Sequence, residues 1–301
     1  MQSARSKKKL TGGEVTFNIV NYAVFGIFTL ICIFPFYYLF INTISANDLS
    51  SKGLVTFFPR QIHFSNYTQV FHLKGFYNAF VVSLGRTVIG TSATVMASAF
   101  LGYLFTKPMW GRKFWYRFVV ITMYFNAGLI PWYITMMNLQ LRDNFLAYIL
   151  PAVVQPFNVI LVKTYVESTP LALQEAAQID GAGHLRVFFS IVLPIIQPIL
   201  ATVAIFAAVG QWNSFTDTLL LMQNSKLYTL QYILYKYLTE ATSVAQLIKS
   251  SPFAAESLVA MQTPTSVRMT VSVISVLPIM MVYPFFQRFF VKGIMIGAVK
   301  G

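Results

Sequence analysis

Six stretches of this chain are apolar over about twenty residues, and that constrains its fold more than any other feature. They run about Phe17–Ile41, Ala79–Phe105, Phe118–Met137, Phe145–Tyr165, Ile195–Met222 and Thr270–Phe290. A helix rises 1.5 Å per residue, so about 20 apolar residues cross the ~30 Å hydrocarbon core of a bilayer. Backbone groups in hydrocarbon must be satisfied within the segment, which selects helices for runs of this length. The expected fold class is therefore an all-α polytopic membrane protein with six transmembrane helices. Composition agrees: 56% of residues are hydrophobic and only 10% are charged, against ~25% charged in soluble domains. Pro35, Pro131, Pro151, Pro156, Pro198, Pro278 and Pro284 lie inside or beside the spans, where neighbouring helices and Ser/Thr groups re-satisfy freed carbonyls.

Charge sets the orientation. Arg5 and Lys7-Lys8-Lys9 precede the first span, Lys107, Arg112, Lys113 and Arg117 follow the second, and Lys292 and Lys300 follow the last. With six spans these groups share one side, which the positive-inside rule makes cytoplasmic. Both termini are then cytoplasmic. The first apolar stretch exceeds the roughly 7–15 residues of a secretory signal core, so it reads as a retained helix. The expected organisation is a basic tail over 1–16, one six-helix transmembrane domain over 17–291 and a cytoplasmic tail over 292–301. Outer loops occupy 42–78 and 223–268. The second is long for a connector, and its Tyr228, Tyr232, Leu234, Tyr235, Tyr237 and Leu238 suggest some helix. The net charge of +13 falls in short patches beside apolar segments rather than on one face, which speaks against nucleic acid.

The longest inner loop, 166–194, carries a fixed pattern. Glu175-Ala176-Ala177 is followed after three residues by Gly181, and after nine more by Ile191-Val192-Leu193-Pro194. Thr169 and Pro170 suit the cap and first position of a helix. Leu171 to Asp180 holds no helix breaker, and Gly181 supplies a left-handed terminus. Ala182–Val192 can form a second helix ended by Pro194. Such an elbow fits a cleft on another protein, the helix-in-groove mode. Ala176 and Ala177 permit close approach, and Glu175 and Asp180 offer carboxylates. An ordinary amphipathic loop is the plainer alternative, and the spacing argues against it.

This pattern resembles the EAA motif of ABC importer permeases, in the carbohydrate-uptake branch that holds the second membrane subunit of the maltose transporter. Phe57-Phe58-Pro59 with Asn66-Tyr67, Gln211-Trp212-Asn213-Ser214-Phe215 and the run Gly293 to Gly301 are also similar to that group. The resemblance implies that Glu175, Ala176, Ala177, Asp180, Gly181, Ile191, Leu193 and Pro194 form an ATPase-docking elbow. It also implies that Gly297, Val299, Lys300 and Gly301 make a second ATPase contact, for which a frayed terminus is the alternative. Expected partners are a second homologous permease, two copies of a cytoplasmic ATPase subunit, an extracytoplasmic solute-binding protein and membrane lipid. The expected location is the bacterial cytoplasmic (inner) membrane. ATP and Mg²⁺ would be used by the ATPase partners, with no cofactor on this chain. The expected function is a permease subunit importing a sugar or oligosaccharide; the alternatives are a non-sugar solute or an ATPase-independent secondary transporter.

Polar residues within the spans are the pathway candidates. Arg86 lies near the outer end of the second span, where a central Arg costs roughly 2.5–3.5 kcal/mol on insertion scales. It either faces an anionic sugar in the pathway, or snorkels or bonds to another helix's carbonyls. Trp212 and Asn213 suit a sugar's apolar ring face and hydroxyl edge, or equally an interfacial belt and helix contact. Asp217 is placed at the outer boundary. Ser98 with Gly102, and Ala93 with Ala97, have the small-xxx-small spacing of close helix packing. Cys32 reads as a buried apolar thiol, and His63, His72 and His184 lack ligand spacing, so no metal is expected. There is no phosphate-cradling Gly-rich run and no catalytic set, so the chain is expected not to be an enzyme.

Overall fold

A computed structural model describes residues 11–239 and 265–293. Among these residues every regular element is helical. In chain order they are α1 (Gly12–Thr43), α2 (Asn47–Ser51), α3 (Ser65–Phe71), α4 (Phe76–Leu104), α5 (Arg112–Tyr124) and α6 (Leu129–Asn138). Two 3₁₀ turns, Phe145–Tyr148 and Leu150–Ala152, lead into α7 (Pro156–Glu167). Then come α8 (Ala172–Ile179), α9 (His184–Val187), a π turn (Phe188–Val192), α10 (Leu193–Ile195), α11 (Gln197–Asn213) and α12 (Thr216–Leu221). Residues 230–239 form α13, and α14 spans Thr265–Gly293.

The chain divides into two compact units, Met1–Val70 with Thr263–Val273, and Phe71–Gln262 with Ile274–Gly301. In the first, α1 exposes apolar side chains along nearly its whole length and becomes buried only at Ile41, Asn42 and Thr43. Such a surface is stable only with hydrocarbon or a partner as its solvent. Cys32 lies on that exposed surface rather than being buried. The C-terminal end of α1 is tied by polar bonds. Asn42 Nδ2 donates to Val55 O at 3.4 Å, Ser50 Oγ donates to Asn42 Oδ1 at 2.8 Å, and Asn66 Nδ2 donates to Thr43 O at 2.8 Å.

The second unit is built around α4. Its buried stripe, Ala79, Ser83, Arg86, Gly90, Thr94, Ser98 and Gly102, recurs every three or four residues and is mostly small. Small residues let neighbouring backbones approach closely, the main source of helix association in lipid. A Cβ on Gly102 would stand 2.7 Å from Val162 Cγ1 of α7, and one on Gly90 would stand 2.6 Å from Gln211 Nε2 of α11. The expected packing role of the Ser98–Gly102 pair is therefore seen at its glycine.

The spans themselves are less regular than the hydropathy implies. Three described helices are singly long and apolar enough to cross a membrane, or up to five if each bent pair counts as one span. The stretch 118–137 is broken into α5 and α6 at residues 125–128. Asn126 Oδ1 accepts from Gly128 N at 2.9 Å, and Gly128 has φ +90°, a local turn that competes with helix. The stretch 145–165 bends by 46° between the 3₁₀ turns and α7, where Pro151 and Pro156 remove donors. The expected span Ile195–Met222 starts after an 80° bend, runs as α11, and breaks at Ser214 before α12. Within the outer segment 223–268, the expected helix is α13, and residues 240–264 lie outside the described residues.

Candidate functional site

The elbow 166–194 is built from a cap, a turn and a buried seam. α8 ends in a Schellman motif: Ala182 N donates to Ala177 O at 2.9 Å and Gly181 N donates to Gln178 O at 3.0 Å. That motif needs a left-handed residue at its corner, and Gly181 has φ +81° with open space around it. The start differs from the sequence expectation. Thr169 does not cap α8; its hydroxyl donates back to Val166 O at 2.6 Å, closing α7 instead. The end differs too. Pro194 does not stop the second helix, which passes through it to Ile195. Leu193 N donates five residues back to Phe188 O, and this widened turn leaves room for a proline that has no donor. The chain turns at Ile196, ahead of Pro198.

Val187, Phe188, Val192 and Ile196 bury one side of the elbow against Ala99 and Tyr103 of α4 and Val162 and Val166 of α7. Ala177 and Leu193 pack at the edge of this cluster. Two polar links add direction: Lys107 Nζ donates to the buried Gln174 Oε1 at 2.5 Å, and Tyr103 OH donates to His184 O at 3.3 Å. Burial lowers the Lys107 ammonium pKa; the hydrogen bond to Gln174 and the Tyr103 ring, 5.0 Å away, are its polar and π contacts.

The opposite side of α8 is open. Leu171, Glu175 and Ile179 stand at intervals of four on one face, and Ala176, Asp180 and Gly181 are exposed beside them. Leu171 and Leu185 are both 63% exposed and Ile179 is 87% exposed. The motif thus separates: Glu175, Ala176, Asp180, Gly181 and Pro194 are accessible, Ile191 is half-buried, and Ala177 and Leu193 are turned toward the core. Leu171, Ile179 and Leu185 were missed by sequence reasoning, because apolar residues at helical spacing ordinarily signal a buried face. Gly297, Val299, Lys300 and Gly301 lie outside the described residues.

The second set of candidates lies where α4 meets α11 and α12. Arg86 is 2% exposed, and its Nη2 pairs with Asp217 Oδ2 at 2.5 Å. Nη1 donates to Asp217 Oδ1 at 3.1 Å and Ser214 O at 3.2 Å, and Nε donates to Gln211 Oε1 at 3.1 Å. The guanidinium also lies 4.3 Å from the centre of the Tyr148 ring. Tyr148 OH donates to Leu227 O at 2.7 Å, and Gln211 Nε2 donates to Tyr148 O at 3.1 Å. Arg86 is therefore neither snorkelling nor free. Its sequence-distant partner Asp217 sits at the first turn of α12, where a carboxylate also favours the helix dipole.

Trp212 is turned away from this cluster. It is 5% exposed, its Nε1 donates to Ser275 O of α14 at 2.8 Å, and its ring meets Phe80 edge-on at 6.2 Å. Of its two sequence interpretations, the helix contact is the one observed. Asn213 is exposed, and its Oδ1 accepts from Gln231 Nε2 of α13 at 3.4 Å. A cavity of about 570 Å³ lies instead against Arg86, Tyr148, Gln211 and Asp217, with Asn158 of α7 and Phe206 of α11 in its wall.

A family described as binding-protein-dependent transport system inner membrane component matches residues 94–296. The chain belongs to this family. It is the permease component of an ABC importer, residing in the inner membrane. The chain is 33% identical to protein LplC of Bacillus subtilis (strain 168) over 95% of each chain. It is 32% identical to the polygalacturonan/rhamnogalacturonan transport system permease protein YtcP of the same organism, covering 95% of this chain and 98% of the relative. A crystal structure of a bacterial ABC transporter that imports the acidic polysaccharide alginate contains a similar chain. The TM-score is 0.80 at 29% identity, over 93% of this permease and 99% of that chain.

Proposed function

We propose that this permease imports a sugar or oligosaccharide, and that its elbow carries the ATPase stroke to the membrane. Support for the sugar comes from the relatives, whose names specify polygalacturonan/rhamnogalacturonan, arabinooligosaccharides and melibiose/raffinose/stachyose. Support for the stroke comes from the elbow's two faces. One is apolar, exposed and outside the spans; the other is packed and hydrogen-bonded onto α4 and α7. An exposed apolar patch rimmed by carboxylates marks a protein partner. In this reading a displacement of α8 passes to α4 and α7 through the following turns, whose Val187, Phe188, Val192 and Ile196 form the seam.

In this mechanism a loaded extracytoplasmic binding protein docks outside, on a pair formed by this chain and a second homologous permease. Two ATPase subunits bind ATP with Mg²⁺ and close beneath the pair; this chain holds no cofactor and performs no hydrolysis. Their closure draws the elbow, α4 and α7 tilt together, and the pathway opens outward. Six spans with both termini cytoplasmic place the elbow and the basic loop 107–117 on the ATPase side. The single observation that carries the proposal is the glycine-cornered elbow with Leu171, Ile179 and Leu185 exposed.

The test is Gly181→Pro. Proline cannot adopt φ +81° and lacks the N–H that bonds Gln178 O, so the corner cannot form. The expected result is loss of sugar uptake, with either lost co-purification of the ATPase or ATP hydrolysis no longer stimulated by loaded binding protein. Normal uptake in that variant would overturn the docking assignment.

A further inference from the structure

The cavity beside Arg86 has the composition of a ligand site, and its electrostatics restrict the ligand. Its volume of about 570 Å³ falls within the roughly 300–1,000 Å³ of small-molecule sites. Asn158 is 5% exposed and faces the cavity. No side chain or backbone group among the described residues hydrogen-bonds its amide. Its amide atoms are open to the cavity rather than enclosed without a partner, so a ligand group can reach them. The amide is thus poised for a group that enters from the cavity. Phe157 and Phe206, 52% and 49% exposed, stand at the rim, and Trp132 supplies a third aromatic wall. Aromatic faces with a few convergent polar groups suit a ring that is apolar on its faces and hydroxylated at its edge.

Charge decides which such ring. Among the described residues, Arg86 and Asp217 are the only ionic ones in the lining, and they neutralise each other. The guanidinium donates to Asp217, Ser214 O and Gln211, leaving no free cation for a ligand carboxylate. We infer that this cavity is a binding site for a neutral glycosyl unit, held through Asn158, and that it discriminates against uronate units. The inference rests on the sugar-import function proposed above and adds a contact made by this subunit.

Saturation-transfer NMR on the intact importer complex in nanodiscs tests the site directly, with methyl β-glucoside and methyl β-glucuronide as probes. The wild-type complex should bind the glucoside, and the glucuronide more weakly. Asn158→Leu should weaken the glucoside about tenfold, the loss of an amide hydrogen bond and its replacement by an apolar group. Replacing an unpartnered amide should leave the Tm of the complex unchanged or raised; a structural role for Asn158 would lower it. Phe206→Ala, at the exposed rim, should weaken the same probe and serves if Asn158→Leu does not assemble. Equal glucoside binding in both variants, tighter binding of the glucuronide, or no binding of either probe would overturn the inference. Oligosaccharide uptake by host cells lacking this chain separates the two levels. Uptake lost in those cells leaves sugar import standing even if the cavity fails; uptake unaffected removes the sugar function itself.

Discussion

At the scale of single residues, one glycine and one carboxylate show how local physics sets the structure. Gly181 stands at φ +81°, and a Cβ added there would meet nothing within 4 Å, so Gly181→Ala introduces conformational strain and no clash. A left-handed alanine costs roughly 1–2 kcal/mol. Hydrogen exchange should report it as about tenfold faster exchange of the Ala182 amide, which closes the Schellman turn on Ala177 O; unchanged exchange would show that the corner tolerates a side chain. Asp143 is the outer counterpart. Its Oδ1 accepts from the backbone of Gln223 at 2.6 Å and Asn224 at 2.8 Å, and those bonds lower its pKa from the ordinary 3.8. A lowered folded-state pKa gives stability that is fully present above the unfolded value and fades as pH falls through the folded one. The difference in Tm between the parent and Asp143→Asn should hence be constant from neutral pH to about 5 and shrink below about 4. A difference that grew on acidification would have the wrong sign. Gly181 was legible in the sequence because a glycine after ten helix formers has few other uses. Asp143 was not, because its partners lie some eighty residues away and are backbone groups.

Among elements, α4 is the hub, and its two ends do different work. In its N-terminal half Arg86 joins α12 through Asp217, and at its C-terminal end Tyr103, with Lys107 just beyond it, holds the elbow. Breaking a buried pair by removing one partner costs about 3–5 kcal/mol, whereas replacing both with apolar groups is often neutral or stabilising. Arg86→Met and Asp217→Leu should each lower the Tm of the purified complex sharply, and the double variant should recover most of the loss. A double variant as unstable as the worse single one would mean that the bonds to Gln211 and Ser214, rather than the ion pair, carry the stability. Hydropathy located apolar stretches, of which three are single long helices and two are bent pairs among the described residues, but not their breaks. Averaging over about twenty residues cannot see the Asn126–Gly128 turn, or tell that the chain passes through Pro194 yet bends by 80° at Ile196. Arg86 was visible as an intramembrane charge, but its ion pair spans 131 positions. Trp212 was ambiguous because an indole serves a sugar face or a helix contact equally well; only the neighbouring Ser275 carbonyl decides.

For the whole molecule, the proposed docking puts the ATPase on the exposed face of the elbow, opposite its packed seam. Family membership was legible because the motif fixes spacing, and spacing survives where individual contacts do not. The accessible half of the motif was not legible, because Ala177 and Leu193 read the same as Glu175 and Ala176 until their burial is known. Ile179, 87% exposed at the tip of α8, is the place to ask. A photo-crosslinking amino acid should be placed at Ile179 in the intact importer, in native membranes, and the adduct identified by mass spectrometry. The expected product is this permease joined to the cytoplasmic ATPase subunit, with a yield that changes when ATP is trapped. An adduct to the extracytoplasmic binding protein, or none to the ATPase while the complex remains assembled, would contradict the claim.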